Sequence, residues 1–181
     1  QKIAFVSERG GKGKLWIMNA TDGSQQVSRA SHAKDVTQSC SWSPDGSRIA
    51  YHVGLAEVSF VSTAIYFVPS FGGTPELFGG GGDYNSREPA WSPDGTRIAF
   101  CSSRTMRWEV WIKTIAGGMT GQLTYDGNYA GHPTWSPDGR RIAYSTLRGG
   151  GFEIWAVSAT GGPAAQLTTG SRWDAHPAWS P

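Results

Sequence analysis

The chain has 181 residues with 16 basic and 14 acidic side chains, four histidines and two cysteines. Dispersed, nearly balanced charge leaves no electrostatic footprint for nucleic acid, no apolar run approaches the roughly 18 residues of a membrane helix, and Cys40 and Cys101 are too few for a disulfide framework. Twenty-five glycines and ten prolines ask for many turns, as in an all-β protein.

The first element is "KIAF" (2–5), followed by "LWIM" (15–18), a turn at Asp22 and Gly23, and "QQVS" (25–28). The pattern then restarts with Trp42, Ser43, Pro44, Asp45 and Gly46, and runs through "RIAY" (48–51), "IYFV" (65–68), Gly72-Gly73 and "PELF" (75–78). It restarts at Trp91–Gly95, with "RIAF" (97–100), "VWIK" (110–113), Gly117-Gly118 and "GQLT" (121–124). The next unit has Trp135–Gly139, "RIAY" (141–144), "IWAV" (154–157), Gly161-Gly162 and "AQLT" (165–168), and "HPAWSP" (176–181) begins another. The motif tryptophans are spaced 49, 44 and 44 residues apart.

Each unit has four short runs rich in β-branched and aromatic residues, separated by turn residues. None has a helical period. In Ser-Pro-Asp-Gly, proline presets φ for a type I turn, aspartate suits the next position, and glycine takes the left-handed one. The motif therefore predicts a tight hairpin between the first and second strands. Four strands in roughly 40–45 residues are the signature of a β-propeller blade. The expected architecture is a single propeller domain, 1–181, of four four-stranded blades. One composite blade takes three strands from 1–28 and its first strand from 176–181; the others are 38–79, 87–125 and 131–169. A closed ring, part of a larger ring, and two chains sharing one ring all stay open. The chain is thus a monomer, or a dimer in the last case.

These motifs resemble the TolB-like, or PD40, propeller repeat, also called WD40-like. Members include TolB itself, propellers of prolyl-oligopeptidase-like peptidases, and oligogalacturonate lyases. The members have more blades than the four repeats here, and the chain has no G-x-S-x-G motif. The resemblance implies a periplasmic or extracellular protein. It also implies a non-catalytic scaffold that binds a protein or an extended ligand on its loop face. An accessory propeller of a larger peptidase is an alternative.

Propeller loops joining strands two to three, and four to the next first strand, open on one face and carry function. Tyr84, Arg87, Arg104, Arg107, Trp108, Tyr129, Arg148 and Trp173 fall in or beside them. Aromatics and arginines of this kind are typical binding anchors, and no repeat role is evident for these aromatics. Three positions before each motif tryptophan stand Ser39, Glu88, His132 and His176. Glu88, His132 and His176 could hold a divalent metal ion at a channel mouth, which would support a metal-dependent lyase or hydrolase acting on saccharides. The competing reading is a polar cap on each strand start. No nucleophile–base pair, phosphate loop or cofactor fingerprint is visible.

Overall fold

The computed structural model describes residues 1–9, 13–30, 35–55, 62–80, 84–170 and 173–181. Among them there are fifteen strands and no helix: β1 (Lys2–Ser7), β2 (Lys14–Asn19), β3 (Val27–Ala30), β4 (Asp35–Trp42), β5 (Arg48–Leu55), β6 (Ser62–Pro69), β7 (Glu76–Gly80), β8 (Ser86–Trp91), β9 (Arg97–Ser102), β10 (Glu109–Thr114), β11 (Thr120–Gln122), β12 (Ala130–Trp135), β13 (Arg141–Thr146), β14 (Glu153–Ser158) and β15 (Ala165–Gln166). They form one three-stranded sheet, β1-β2-β3, and three four-stranded sheets, β4-β5-β6-β7, β8-β9-β10-β11 and β12-β13-β14-β15. Strands adjacent in the chain pair antiparallel within each sheet. This is the blade topology that the four-run repeat predicts.

The hairpin turns follow the chemistry of the motif. Gly46, Gly95 and Gly139 have φ of 69°, 70° and 68°, a region that costs other residues a Cβ clash. Each glycine N–H donates to the carbonyl of the motif serine at 2.9 Å. The aspartate locks the turn from its side chain. Ser43, Ser92 and Ser136 donate their hydroxyls to Asp45, Asp94 and Asp138 at 2.6, 2.5 and 2.6 Å. The same carboxylates accept the N–H two residues on, at 3.0 Å in each case. These bonds favour the ionised form, so Asp45 and Asp94 are held down at about 2.

The chain divides into two compact units, 1–89 and 90–181. The core of the first is Leu15, Ile17, Ile49, Tyr51, Val53 and Val68. The core of the second includes Ala99, Val110, Leu123, Trp135, Ile142, Tyr144 and Val157. Strand alternation sets these lists, since every second residue of a strand shares one face. Guanidinium groups cover two repeat tryptophans of the second unit: Arg97 lies 4.6 Å from the Trp135 ring and Arg141 5.8 Å from Trp179. The indoles of Trp135 and Trp179 donate to the carbonyls of Ala90 and Thr134 at 3.0 and 3.2 Å.

Of the four motif tryptophans only Trp135 is fully buried; Trp42, Trp91 and Trp179 are half-buried. The sheet of β1 has three strands where the repeat calls for a fourth, and residues 174–181 belong to no sheet among the described residues. Ile3 is 42% exposed, whereas its counterparts Ile49, Ile98 and Ile142 are all 0% exposed.

Candidate functional site

In the first unit, a β-bulge between Thr37 and Ser39 brings the Ser39 hydroxyl to 2.7 Å from His52 Nδ1. The backbone N–H of Glu88 also approaches Nδ1, at 3.3 Å. A serine–histidine pair therefore exists that the sequence reading missed. Burial pushes His52 down to about 4, with the Glu88 carboxylate opposing the shift. The imidazole is thus neutral at physiological pH, and both contacts converge on the same ring nitrogen. Arg87 lies 3.3 Å from the Glu88 carboxylate, and Tyr84 is half-buried. Asn85 fastens the loop by accepting the Thr63 N–H at 2.5 Å.

The second unit gathers most of the other candidates at the loop end of its sheets. Its aromatics do have a repeat role. Trp108 pairs with Tyr129, and Phe152 with Trp173, as parallel bridges between equivalent loops. Each is sealed by a 2.7 Å backbone bond, from Ala130 N–H to Trp108 and from Asp174 N–H to Phe152. Across these bridges the rings form a belt, with Trp173 4.4 Å from Phe152 and Phe152 5.3 Å from Tyr129. Trp173 is the exposed end, at 66%.

Two buried glutamates clamp the same loops. Glu109, 2% exposed, accepts the Thr124 hydroxyl at 2.5 Å and the N–H groups of Asp126 and Gly127 at 3.2 and 2.9 Å. Glu153 accepts Gln166 Nε2 and Gly170 N–H at 2.5 and 3.3 Å. The signal was the Glu that opens "EVW" and "EIW". Arg104 and Arg148, also equivalent, lie 4.7 Å over Trp111 and 4.6 Å over Trp155. Arg107 is exposed and donates to the Gly127 carbonyl.

His132 and His176 come together, with ring centroids 3.9 Å apart. His132 Nδ1 is 2.7 Å from the Ser145 hydroxyl. Glu88, the third expected ligand, lies in the first unit. All three stand before a proline with positive φ, 57°, 51° and 58°. That is a backbone conformation at which histidine and other polar residues are enriched, and at His132 it coincides with the β-bulge between Gly131 and Thr134. Among the described residues, no three His, Cys, Asp or Glu side chains are grouped to hold a metal ion. Cys101 is a buried thiol and Cys40 a half-buried one, and burial pushes Cys40 up to about 11.

Asp126 is the remaining unusual group. Its side chain is 4% exposed and Arg148 Nη1 is 3.6 Å from Oδ1. Burial is the first cause raising its pKa, and the Glu109 charge adds to it. Tyr144 and Thr146, both 0% exposed, lie beside it.

The profile of the TolB beta propeller domain, PD40, matches residues 79–181, more than half of the sequence. The chain belongs to the TolB-like β-propeller family. It is 27% identical to TolB from Acinetobacter baumannii, with a TM-score of 0.79 over 96% of this chain and 43% of that one. A TolB-type protein from Agrobacterium tumefaciens is also 27% identical, with a TM-score of 0.77 over 93% of this chain and 62% of that one. The chain thus spans less than two thirds of either TolB. A puromycin-hydrolyzing peptidase of Mycobacterium tuberculosis shares the fold at 16% identity and TM-score 0.77, over 99% of this chain and 30% of that one. No curated protein matches the sequence. No helix among the described residues is long and apolar enough to cross a membrane.

Proposed function

We propose that this domain is a non-catalytic, protein-binding scaffold of the periplasm or cell exterior, using the loop end of its blades. The observation that carries the reading is the side-chain set at the loop end of the second unit. Trp173 is 66% exposed, Arg148 is 48% exposed along its side chain, and Arg107 is exposed in an equivalent loop. Trp and Arg are the residue types that anchor protein interfaces, and the bridges and glutamate clamps fix the backbone beneath them. Family membership supports a periplasmic setting. A rigid backbone under exposed anchors lowers the ordering cost of binding.

The test is capture of a partner from periplasmic extract, its identification by mass spectrometry, and reconstitution with the purified partner. Trp173→Ala and Arg107→Ala should each weaken the reconstituted complex at least tenfold without changing stability. Equal affinity in both variants would move the interface elsewhere.

The His132–His176 pair favours a second reading, a metal-dependent enzyme. Metal content after dialysis against zinc, manganese or copper tests it directly. A stoichiometric metal lost in the double variant His132→Ala, His176→Ala would replace the scaffold reading.

A further inference from the structure

The turn between β9 and β10 has a counterpart of the same length between β13 and β14. In the first, the Met106 N–H donates to the Ser103 carbonyl at 2.8 Å; in the second, the Gly150 N–H donates to the Leu147 carbonyl at 3.4 Å. Met106 and Gly150 both have positive φ, 65° and 93°. Glycine adopts that conformation readily, whereas a residue with a Cβ is strained in it. Thr105, Met106 and Arg107 stand where the later turn has Gly149, Gly150 and Gly151. The hairpin therefore closes on glycines alone and needs neither the Met106 nor the Arg107 side chain.

Met106 gains no burial in return for its strain. It is 94% exposed, the most exposed large hydrophobic side chain among the described residues. A single exposed apolar residue is ordinary on a protein surface, but one that also strains its backbone points to a use other than folding. Arg107 beside it is exposed too. It donates to the Gly127 carbonyl, and among the described residues no carboxylate lies within ion-pair distance of it. A guanidinium has five N–H donors, so most of the fork is left to solvent.

The surroundings have the same character. Arg148 lies 3.6 Å from Asp126 Oδ1, so two guanidiniums meet one loop at adjoining residues, Asp126 and Gly127. That loop also carries Tyr125, 78% exposed. The carboxylates at this end are buried, Glu109 at 2% exposure and the Asp126 side chain at 4%. The surface turned outward is therefore cationic and apolar, although the charges beneath it balance. We propose that the Met106–Arg107 tip is a docking knob for a partner protein, entering an apolar socket rimmed by a carboxylate. The unbranched, adaptable methionine side chain fills the socket, and the Arg107 fork pairs with the carboxylate. The proposal rests on the protein-binding reading above and names the chemistry of the partner.

The test replaces Met106 in the intact chain by the photo-crosslinking residue p-benzoylphenylalanine and irradiates it in periplasmic extract. The control carries the same residue at Met119, a methionine 78% exposed in the β10–β11 turn. Position 106 should crosslink one protein, at a segment where apolar residues adjoin Asp or Glu, and position 119 should not. With that protein purified, Met106→Gly, which reproduces the later turn, should weaken the complex at least tenfold while the thermal midpoint stays level or rises. Arg107→Glu should weaken it at least tenfold, and reversing the charge of the crosslinked carboxylate should restore it. Equal crosslinking from 119, a crosslinked segment without a carboxylate, or undiminished affinity in Met106→Gly would each overturn the proposal. A partner lost in Trp173→Ala but kept in Met106→Gly would sink the knob and leave the scaffold reading standing, whereas failure to capture any partner would remove both.

Discussion

Trp135 is the most heavily committed of the motif tryptophans, so truncating it measures what the repeat contributes. The ring is 7% exposed. Its N–H donates to the Ala90 carbonyl at 3.0 Å, and the Arg97 guanidinium lies 4.6 Å from the ring. Trp135→Ala leaves a cavity worth about 3–5 kcal/mol. It also orphans a backbone carbonyl, at roughly 1 kcal/mol, and removes a cation–π contact of about 0.5–1 kcal/mol. The expected loss is roughly 4.5–7 kcal/mol, against a typical domain stability of about 5–15 kcal/mol. Urea unfolding followed by circular dichroism at constant m-value measures it. Trp135→Phe keeps a ring under Arg97 and loses only the hydrogen bond and some area, so about 1–2 kcal/mol is expected. A loss below about 1 kcal/mol in Trp135→Ala would refute the claim that these tryptophans hold the sheets. Equal losses in Ala and Phe would refute the cavity argument specifically.

Closure of the β1 sheet by residues 176–181 should make Ile3→Ala as costly as Ile142→Ala, about 2–4 kcal/mol; a cost under about 1 kcal/mol fits the 42% exposure of Ile3 and an open edge. His52, held down at about 4 by burial, stays neutral in the fold while the unfolded chain protonates below about 6.5. Stability is therefore full above pH 6.5 and falls as pH drops toward 4, by roughly 3 kcal/mol; urea midpoints that stay flat across that window would contradict its burial. Asp126 runs the other way, because its raised pKa makes the ionised form unfavourable in the fold. Its contribution is lost as pH rises through the carboxylate range, so Asp126→Asn should raise the thermal midpoint at pH 7 and leave it unchanged near pH 3; a lower midpoint at pH 7 would mean that the carboxylate is a structural partner after all.

The strands and turns were legible because each is written in local chemistry. Ser-Pro-Asp-Gly encodes its own hydrogen bonds, and Ile-Ala-[Phe/Tyr] marks a deeply buried strand in each of the three four-stranded sheets. What could not be read was partnership across distance. Trp108 and Tyr129 lie 21 residues apart in the sequence, and only their bridge shows that they fasten loops. Glu109 and Glu153 look like exposed strand-start acids until three donors close around Glu109. Asp126 was visible as an acidic loop residue, but its burial against Tyr144 and Thr146 depends on a strand from the following repeat. The candidate metal ligands share a position before a motif tryptophan, and at Glu88, His132 and His176 that position also has a positive φ, which the sequence does not display.

The serine–histidine contacts show how a repeat separates bracing from chemistry. Ser39 on β4 meets His52 on β5, and His132 on β12 meets Ser145 on β13, both at 2.7 Å. The two pairs occupy equivalent positions with the residue types exchanged. Exchange preserves a hydrogen bond across the hairpin beside a bulge, which both hairpins have. It cannot preserve catalysis, because the nucleophile and the base would trade places relative to any substrate on one face. In the Ser39 pair the imidazole is also buried and accepts a second donor, Glu88 N–H, on the nitrogen that faces the serine. A base whose acceptor is shared and whose pKa lies near 4 takes up a proton poorly at neutral pH. The pair is therefore a brace that closes the bulge.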